Sequence, residues 1–333
     1  MIQVPHSYPF VPPNLQKSLT NVLDQAFLSQ NPTLRQSIEK KLAGQYGFTY
    51  ATLVPSASSG FLFLLLALNI RKGDEVVLSA INCPSMLNMI RQVGATPVIA
   101  DVRSTTDFRA NAQVLSACVN QQTRLVVVTH MFGVLVEFSE IALIKSSYPK
   151  VLVLEDFSTV PYPQCALNSI SDFGLLSFGG TKPIAVGNGG AVLSRQNWFT
   201  KQYSAVQIQA TYNTNWSNLD LQVLQAQLMD SSRQSKVRNR LKQWYQQQGI
   251  RLFGQEFVLF RAITFESIDP LRDKIQALKI ELDIRESVQP NLAKELSQEP
   301  PNALQFKNYV SLPLNDAMYA ALLKVDQIEV VDD

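Results

Sequence analysis

Between residues 50 and 195 the chain alternates two hydrophobic patterns. Short, continuously apolar runs rich in β-branched residues read as strands: "YATLVPS", "DEVVLSA", "TPVIADV", "RLVVVTH", "VLVLEDF", "LLSFGG" and "GGAVLS". Between some of them, "SMLNMIRQVG", "NAQVLSACVN" and "SEIALIKSSYP" carry apolar residues at helical spacing and read as amphipathic helices. A strand with no polar face has no solvated side. The alternation therefore predicts an α/β fold, a three-layer α/β/α arrangement with a mostly parallel central sheet covered on both faces. In such sheets ligands sit beyond the C-terminal ends of the strands, so residues there carry the chemistry.

The pattern changes after residue 195. Residues 218–249, "NLDLQVLQAQLMDSSRQSKVRNRLKQWYQQQG", contain few breakers and predict a long helix or a helical pair. Beyond them "FVLFRAITFE" reads as a strand, "DPLRDKIQALKIEL" as a helix and "QFKNYVSLPL" as another strand. The expected organisation is a large domain over 1–249, which includes the N-terminal segment and the long helix, and a small α+β domain over 250–333.

Composition narrows the function. Hydrophobic residues make up 46% of the 333 and charged residues 17%, enough apolar material for a buried core. The formal charge of +2 gives no broad surface for nucleic acid. The longest apolar run, Gly60–Ile70, is too short to cross a bilayer, and the N-terminus has no signal-peptide pattern. Cys83, Cys118 and Cys165 form no CxxC pair, and the only histidines are His6 and His130, so neither a disulfide framework nor a metal site is implied. A soluble, reduced, cytoplasmic protein is expected.

Three strand ends carry unusual residues. In "VPSASSGFLFLLLAL" a strand turns through small residues into a very apolar helix. A helix start offers free N–H groups to a phosphate, although serine is equally an ordinary cap. In "VLVLEDFST" a strand delivers Glu155 and Asp156 to its end. An acid there caps a helix, pairs with a lysine, or holds a protonated heterocycle as an electron sink. In "SFGGTKPIAVGNGGAV" Lys182 stands in a glycine-rich stretch with no acidic residue. An amine held among apolar groups loses its proton more easily and becomes a nucleophile, while a turn lysine on the surface needs no such role. Jointly these features match pyridoxal 5′-phosphate (PLP): a lysine for its aldehyde, an aspartate for its ring nitrogen and a helix N-terminus for its phosphate. His130 reads as a structural histidine at a strand end, and Cys83 as a thiol near the site with no covalent role.

Over roughly residues 20 to 245 the sequence resembles the DegT-type PLP enzymes, the nucleotide-sugar aminotransferase group with the aspartate-aminotransferase-like fold. The resemblance is carried by "IRKGDEVVLSAINCPSMLNMIRQVGATPVIADV", "VVVTHMFG", "VLEDFST", "TYNTNWSNLDLQVLQAQL" and, most specifically, "SDFGLLSFGGTKPIAVGNGGAVLS". It implies that Lys182 is the Schiff-base lysine and general acid–base, and that Asp156 holds the pyridine nitrogen. It also implies that Ser59, Gly60 and Phe61 form the phosphate turn, aided by Ser177. Asn213 would reach the phosphate of a neighbouring subunit's cofactor, which implies a homodimer with shared active sites. Cys83 stands where the family has an aromatic ring, Phe61 where it has threonine, and Thr159 where it has glutamine or histidine. The C-terminal part lacks the expected histidine-containing substrate loop. The implied activity is transfer of an amino group from an amino acid, glutamate above all, to a nucleotide-linked keto sugar. A PLP-dependent lyase or dehydratase and a degenerate, non-catalytic PLP-fold scaffold are the alternatives.

Overall fold

The computed structural model describes residues 1–13, 15–16, 19–20, 31–163, 165–209, 216–286, 292, 301–305 and 309–328. A short strand β1 (Ile2–Val4) and a helix α1 (Pro32–Gln45) precede the α/β core. That core runs β2 (Tyr50–Val54), α2 (Ala57–Ala67), β3 (Glu75–Ser79), α3 (Pro84–Gln92), β4 (Thr96–Ala100), α4 (Ala112–Ser116) and β5 (Thr123–Thr129). It continues through α5 (Phe138–Ser147), β6 (Leu152–Asp156), β7 (Phe173–Ser177) and β8 (Gly190–Ser194). The seven strands β2 to β8 form one sheet in the order β2-β8-β7-β6-β5-β3-β4. All seven are the strands expected from the apolar runs. Neighbours from β7 across to β4 pair in parallel, and only β8 runs antiparallel to its neighbours β2 and β7. A parallel crossover needs a long, usually helical connection, and the β7–β8 link contains no helix, so the chain returns antiparallel.

Side-chain alternation sorts the sheet into two buried faces. Leu125, Val127 and Leu154 pack with Phe61, Leu64 and Leu65 of α2. Val126, Val128 and Val153 pack with Leu115 of α4 and with Ile141 and Ile144 of α5. The predicted apolar strands are thus covered by helices on both sides, and the fold is the α/β type expected. Among the described residues no helix is long and apolar enough to cross a membrane.

After α6 (Trp198–Gln209), the breaker-poor stretch forms a helical pair, α7 (Asn218–Met229) and α8 (Ser231–Gln247), which meet at Asp230. The C-terminal part contains β9 (Arg261–Thr264), α9 (Asp269–Ala277), β10 (Ile280–Leu282), β11 (Arg285–Glu286), a one-turn α10 (Pro301–Leu304), β12 (Val310–Pro313) and α11 (Asp316–Lys324). Strands β11, β12 and β9 form an antiparallel sheet.

One expectation is corrected here. "DPLRDKIQALKIEL" is not helical throughout. The helix stops at Ala277, Lys279 takes a left-handed φ of 56°, and the chain turns into β10. The cause is remote in sequence: β10 pairs in parallel with β1, Ile2 opposite Ile280. A strand whose partner lies at the other end of the chain leaves no local signal. The pairing also means that a division at 249 separates β1 from the strand to which it is hydrogen-bonded. One buried cluster runs from Val4 and Phe10 through the sheet to Leu312 and Leu322.

Candidate active site

The C-terminal ends of β3, β5, β6 and β7 surround one cleft. Five residues expected from the sequence line it together: Cys83, Asp156, Thr159, Ser177 and Lys182. Beside them stand Ala57, Ser58, Asn82, Ser85, Met86, Thr129, Met131, Ser158 and Leu175. Of the described residues lining it, Lys182 is the one cation and Asp156 the one anion. Asn213 lies outside the described residues.

Ser59, Gly60 and Phe61 do not line the cleft, because α2 begins earlier than the phosphate-turn expectation requires. Ser56, with φ −162° and ψ 161°, is the N-cap. It forms a reciprocal capping box with Ser59: Ser59 N donates to Ser56 Oγ at 3.1 Å, and Ser56 N donates to Ser59 Oγ at 3.0 Å. Gly60 N donates to Ser56 O at 2.9 Å, so it is already an intrahelical donor. The Phe61 side chain is fully buried in the core. Gly60 is needed for packing: a Cβ there would stand 2.8 Å from Val54 Cγ2. The first-turn residues that face the cleft are Ala57 and Ser58. They lie where helix N–H groups have no intrahelical acceptor.

Strand alternation separates the two adjacent acids of β6. Asp156 turns into the cleft, and its Oδ1 accepts Ser158 N–H at 2.9 Å. Glu155 turns to the opposite face and is completely buried. His130 Nδ1 accepts the Val136 N–H at 3.0 Å, so the ring proton lies on Nε2 and is donated to Glu155 Oε1 at 3.0 Å. Ser171 donates to Glu155 Oε2 at 2.6 Å, and Ser169 Oγ donates to the same oxygen. Burial alone pushes the Glu155 carboxyl upward, but hydrogen bonds from His130, Ser169 and Ser171 outweigh it and hold the group below its ordinary value. His130 does not line the cleft and has both ring nitrogens engaged, in keeping with its structural reading. Its backbone N–H donates to Asp156 O at 3.1 Å, which ties this buried network to the strand end that presents Asp156.

Lys182 sits in the loop between β7 and β8. Its N–H donates to Gly179 O at 2.9 Å, and Val186 N donates to Phe178 O at 2.9 Å, so the loop is folded on itself. It closes through Gly189, at φ +101°, where a Cβ would lie 2.2 Å from the Trp216 ring. The carbonyl of Pro183, next to Lys182, accepts from Arg238 Nη2 at 3.2 Å. Arg238 is 2% exposed, and its guanidinium lies over the Phe10 ring at 4.3 Å. No sequence signal marked Arg238, because one arginine in a basic amphipathic helix is unremarkable.

The other expected positions are occupied differently. Cys83 offers a half-buried thiol 3.1 Å from Ser85 Oγ. Its N–H is held by Asn82 Oδ1 at 2.7 Å, and Asn82 Nδ2 donates to Thr129 Oγ1 at 2.8 Å. The Thr159 hydroxyl is already engaged by backbone, donating to His130 O at 2.9 Å and accepting from Phe132 N at 2.9 Å. Sequence reasoning missed Ala57, Ser58, Asn82, Ser85, Met86, Thr129, Met131, Ser158 and Leu175. All lie within three positions of residues it singled out.

The donor set is specific. It combines one carboxylate, one amine, hydroxyls, an apolar wall and a helix start at one strand edge. A model of the DegT/DnrJ/EryC1/StrS aminotransferase family matches residues 12–255. The chain belongs to that family. The proteins it resembles include the spore coat polysaccharide biosynthesis protein SpsC of Bacillus subtilis (strain 168). That match is 29% identical over 217 residues, 64% of this chain and 55% of SpsC. GDP-perosamine synthase of Escherichia coli O157:H7 is 26% identical over 197 residues, 58% of this chain and 54% of that protein. The chain thus matches about half the length of these curated relatives. Spr1654 of Streptococcus pneumoniae, solved in its PLP form, shares the fold with a TM-score of 0.77 and 17% identity, over 97% of this chain and 98% of that one. PLP is the cofactor of the DegT/DnrJ/EryC1/StrS aminotransferases. The cleft fits that group. Asp156 suits a cationic ring nitrogen, Lys182 an aldehyde, and Ala57 and Ser58 at the start of α2 an anionic phosphate. The α2 turn is also pressed close to β8, where a Cβ on Gly190 would stand 2.6 Å from Ala57 N.

Proposed function

We propose that this protein is a PLP-dependent aminotransferase that moves an amino group from an amino acid, glutamate above all, to a keto sugar carried on a nucleotide. The observation that carries the reading is the placement of Lys182 and Asp156 in one cleft that also holds the start of α2. The first-turn N–H groups of Ala57 and Ser58, with the Ser58 and Ser177 hydroxyls, would hold the cofactor phosphate. Asp156 would keep the pyridine nitrogen protonated, and its low exposure of 6% strengthens that charge pairing. When bound, PLP supplies an electron sink for the pair left when the donor's Cα–H bond breaks.

Lys182 is the base for that proton. Its amine would hold the cofactor through the aldehyde and, when free, would carry the proton from the donor's Cα. Leu175, Met86 and Met131, with Ala57, form the apolar part of the described lining. The nucleotide-linked acceptor is supported by the relative named GDP-perosamine synthase. A homodimer in which Asn213 of each copy reaches the other's cofactor remains part of the proposal.

The test supplies the PLP-loaded protein with single amino acids and no acceptor, and measures the 2-oxo acid released. Glutamate is expected to yield about one equivalent of 2-oxoglutarate per site and then stop. Absence of any 2-oxo acid from every amino acid, with cofactor demonstrably bound, contradicts the aminotransferase reading and favours a scaffold.

A further inference from the structure

We infer that Thr159 is a positioning residue. Its hydroxyl clamps the cleft wall at Met131–Gly133 to the strand end carrying Asp156, and couples both to the C-terminal sheet without touching the cofactor. The inference rests on the proposed reading only in taking this cleft as the cofactor site.

Thr159 lies three residues after Asp156 and is 5% exposed. Its single hydroxyl proton is committed to His130 O at 2.9 Å, and it accepts the Phe132 N–H at 2.9 Å. A hydroxyl has one proton, so Thr159 has none left to donate to a ligand. Both partners lie on the segment that leaves β5. His130 N–H in turn donates to Asp156 O at 3.1 Å, so strand end and turn are closed into a ring of hydrogen bonds.

The clamped turn is conformationally demanding. Phe132 has φ 57° and ψ 17°, a left-handed conformation that a bulky residue rarely adopts unless held. Gly133 follows at φ +91°, where a Cβ would lie 2.7 Å from Val258 O. That close approach brings in the C-terminal part of the chain. Phe132 O accepts from Phe260 N at 2.8 Å, immediately before β9. The Phe132 ring packs edge-on against Phe108 at 5.5 Å and Tyr309 at 5.7 Å. On the other side of the same turn, Met131 lines the cleft. One hydroxyl therefore holds a strained turn whose two sides face the cleft and the C-terminal sheet.

The test uses the full chain as wild type, T159V and T159S. Amide hydrogen exchange is read at Phe132 and Phe260 without cofactor, and PLP affinity is read by absorbance titration. Valine keeps the shape and loses both hydrogen bonds, whereas serine keeps them. T159V is expected to speed exchange at both amides about tenfold or more and to weaken PLP binding about tenfold, and T159S to restore both. In the wild type, PLP is expected to slow exchange at the two amides together. Unchanged exchange in T159V overturns the inference. Weakened PLP binding with unchanged exchange would make Thr159 a direct ligand, which also overturns it. Should T159V fail to fold, the wild-type response decides, and two amides indifferent to bound PLP overturn the clamp. Exchange in the cofactor-free chain does not depend on what reaction the cleft performs, so failure here is distinguishable from failure of the aminotransferase reading.

Discussion

Lys182→Ala is expected to slow amino transfer by roughly 10³-fold or more, with little loss of stability. General acid–base groups contribute about 10² to 10⁴, and no other described residue lining this cleft is a substitute. Asp156, the other charged group among the described residues lining it, is assigned to the ring nitrogen. His130 faces the other side of the sheet with both ring nitrogens engaged. Lys182 Nζ makes no hydrogen bond to a described residue, so its removal opens no buried polar gap. Lys182→Arg keeps the charge but cannot lose its proton near neutral pH, and is expected to be as inactive. Single-turnover release of 2-oxo acid measures the loss, and added methylamine is expected to restore part of the rate to the alanine variant but not to the arginine variant. A lysine-free variant that turns over at the normal rate would remove Lys182 from the chemistry.

Glu155→Ala is expected to be the most damaging single substitution for folding among the residues around the cleft, at about 3 kcal/mol or more. It would leave His130 Nε2–H without its acceptor in a fully buried site, whereas the Ser171 hydroxyl keeps Phe173 O at 3.0 Å and Ser169 Oγ keeps Ser171 Oγ at 3.0 Å. Arg195 fixes the same segment, donating from Nε to Ser171 O at 2.7 Å and from Nη2 to Ser169 O, so the backbone around the emptied site is held in place. Urea unfolding at neutral pH measures the cost. The pH dependence has a definite sign. Hydrogen bonds hold the Glu155 carboxyl below its ordinary value of 4.5, so its contribution is full above that pH and fades as pH falls through the lower folded value. Glu155→Gln carries no such charge. The stability gap between wild type and Glu155→Gln is expected to narrow on acidification below about pH 4.5, and a gap that widens would contradict the assignment.

The sheet was legible because its strands are apolar on both faces, and few other structures accommodate "RLVVVTH" or "VLVLEDF". The placement of Lys182 beyond a strand end was legible for the same reason. The helix start was not. Ser56, Ser58 and Ser59 have nearly equal capping propensity, and the choice of Ser56 is made by the extended backbone that continues β2, an observation of geometry. The pair Glu155–Asp156 shows the same limit. Alternation says that the two acids face opposite ways, but only the observed packing says that Asp156 takes the cleft and Glu155 meets His130. The β1–β10 pairing was invisible because its two strands lie at opposite ends of the sequence. Thr159 was singled out for the right neighbourhood, yet its partners are backbone atoms of a turn that no periodicity reveals.

The most direct measurement loads the purified chain with excess PLP, reduces it with borohydride and maps the modified peptide by mass spectrometry. A pyridoxyl phosphate adduct on Lys182 is the predicted result, lost in Lys182→Ala and weakened in Asp156→Ala. An unmodified Lys182 in fully loaded protein, or an adduct confined to other lysines, would contradict the account.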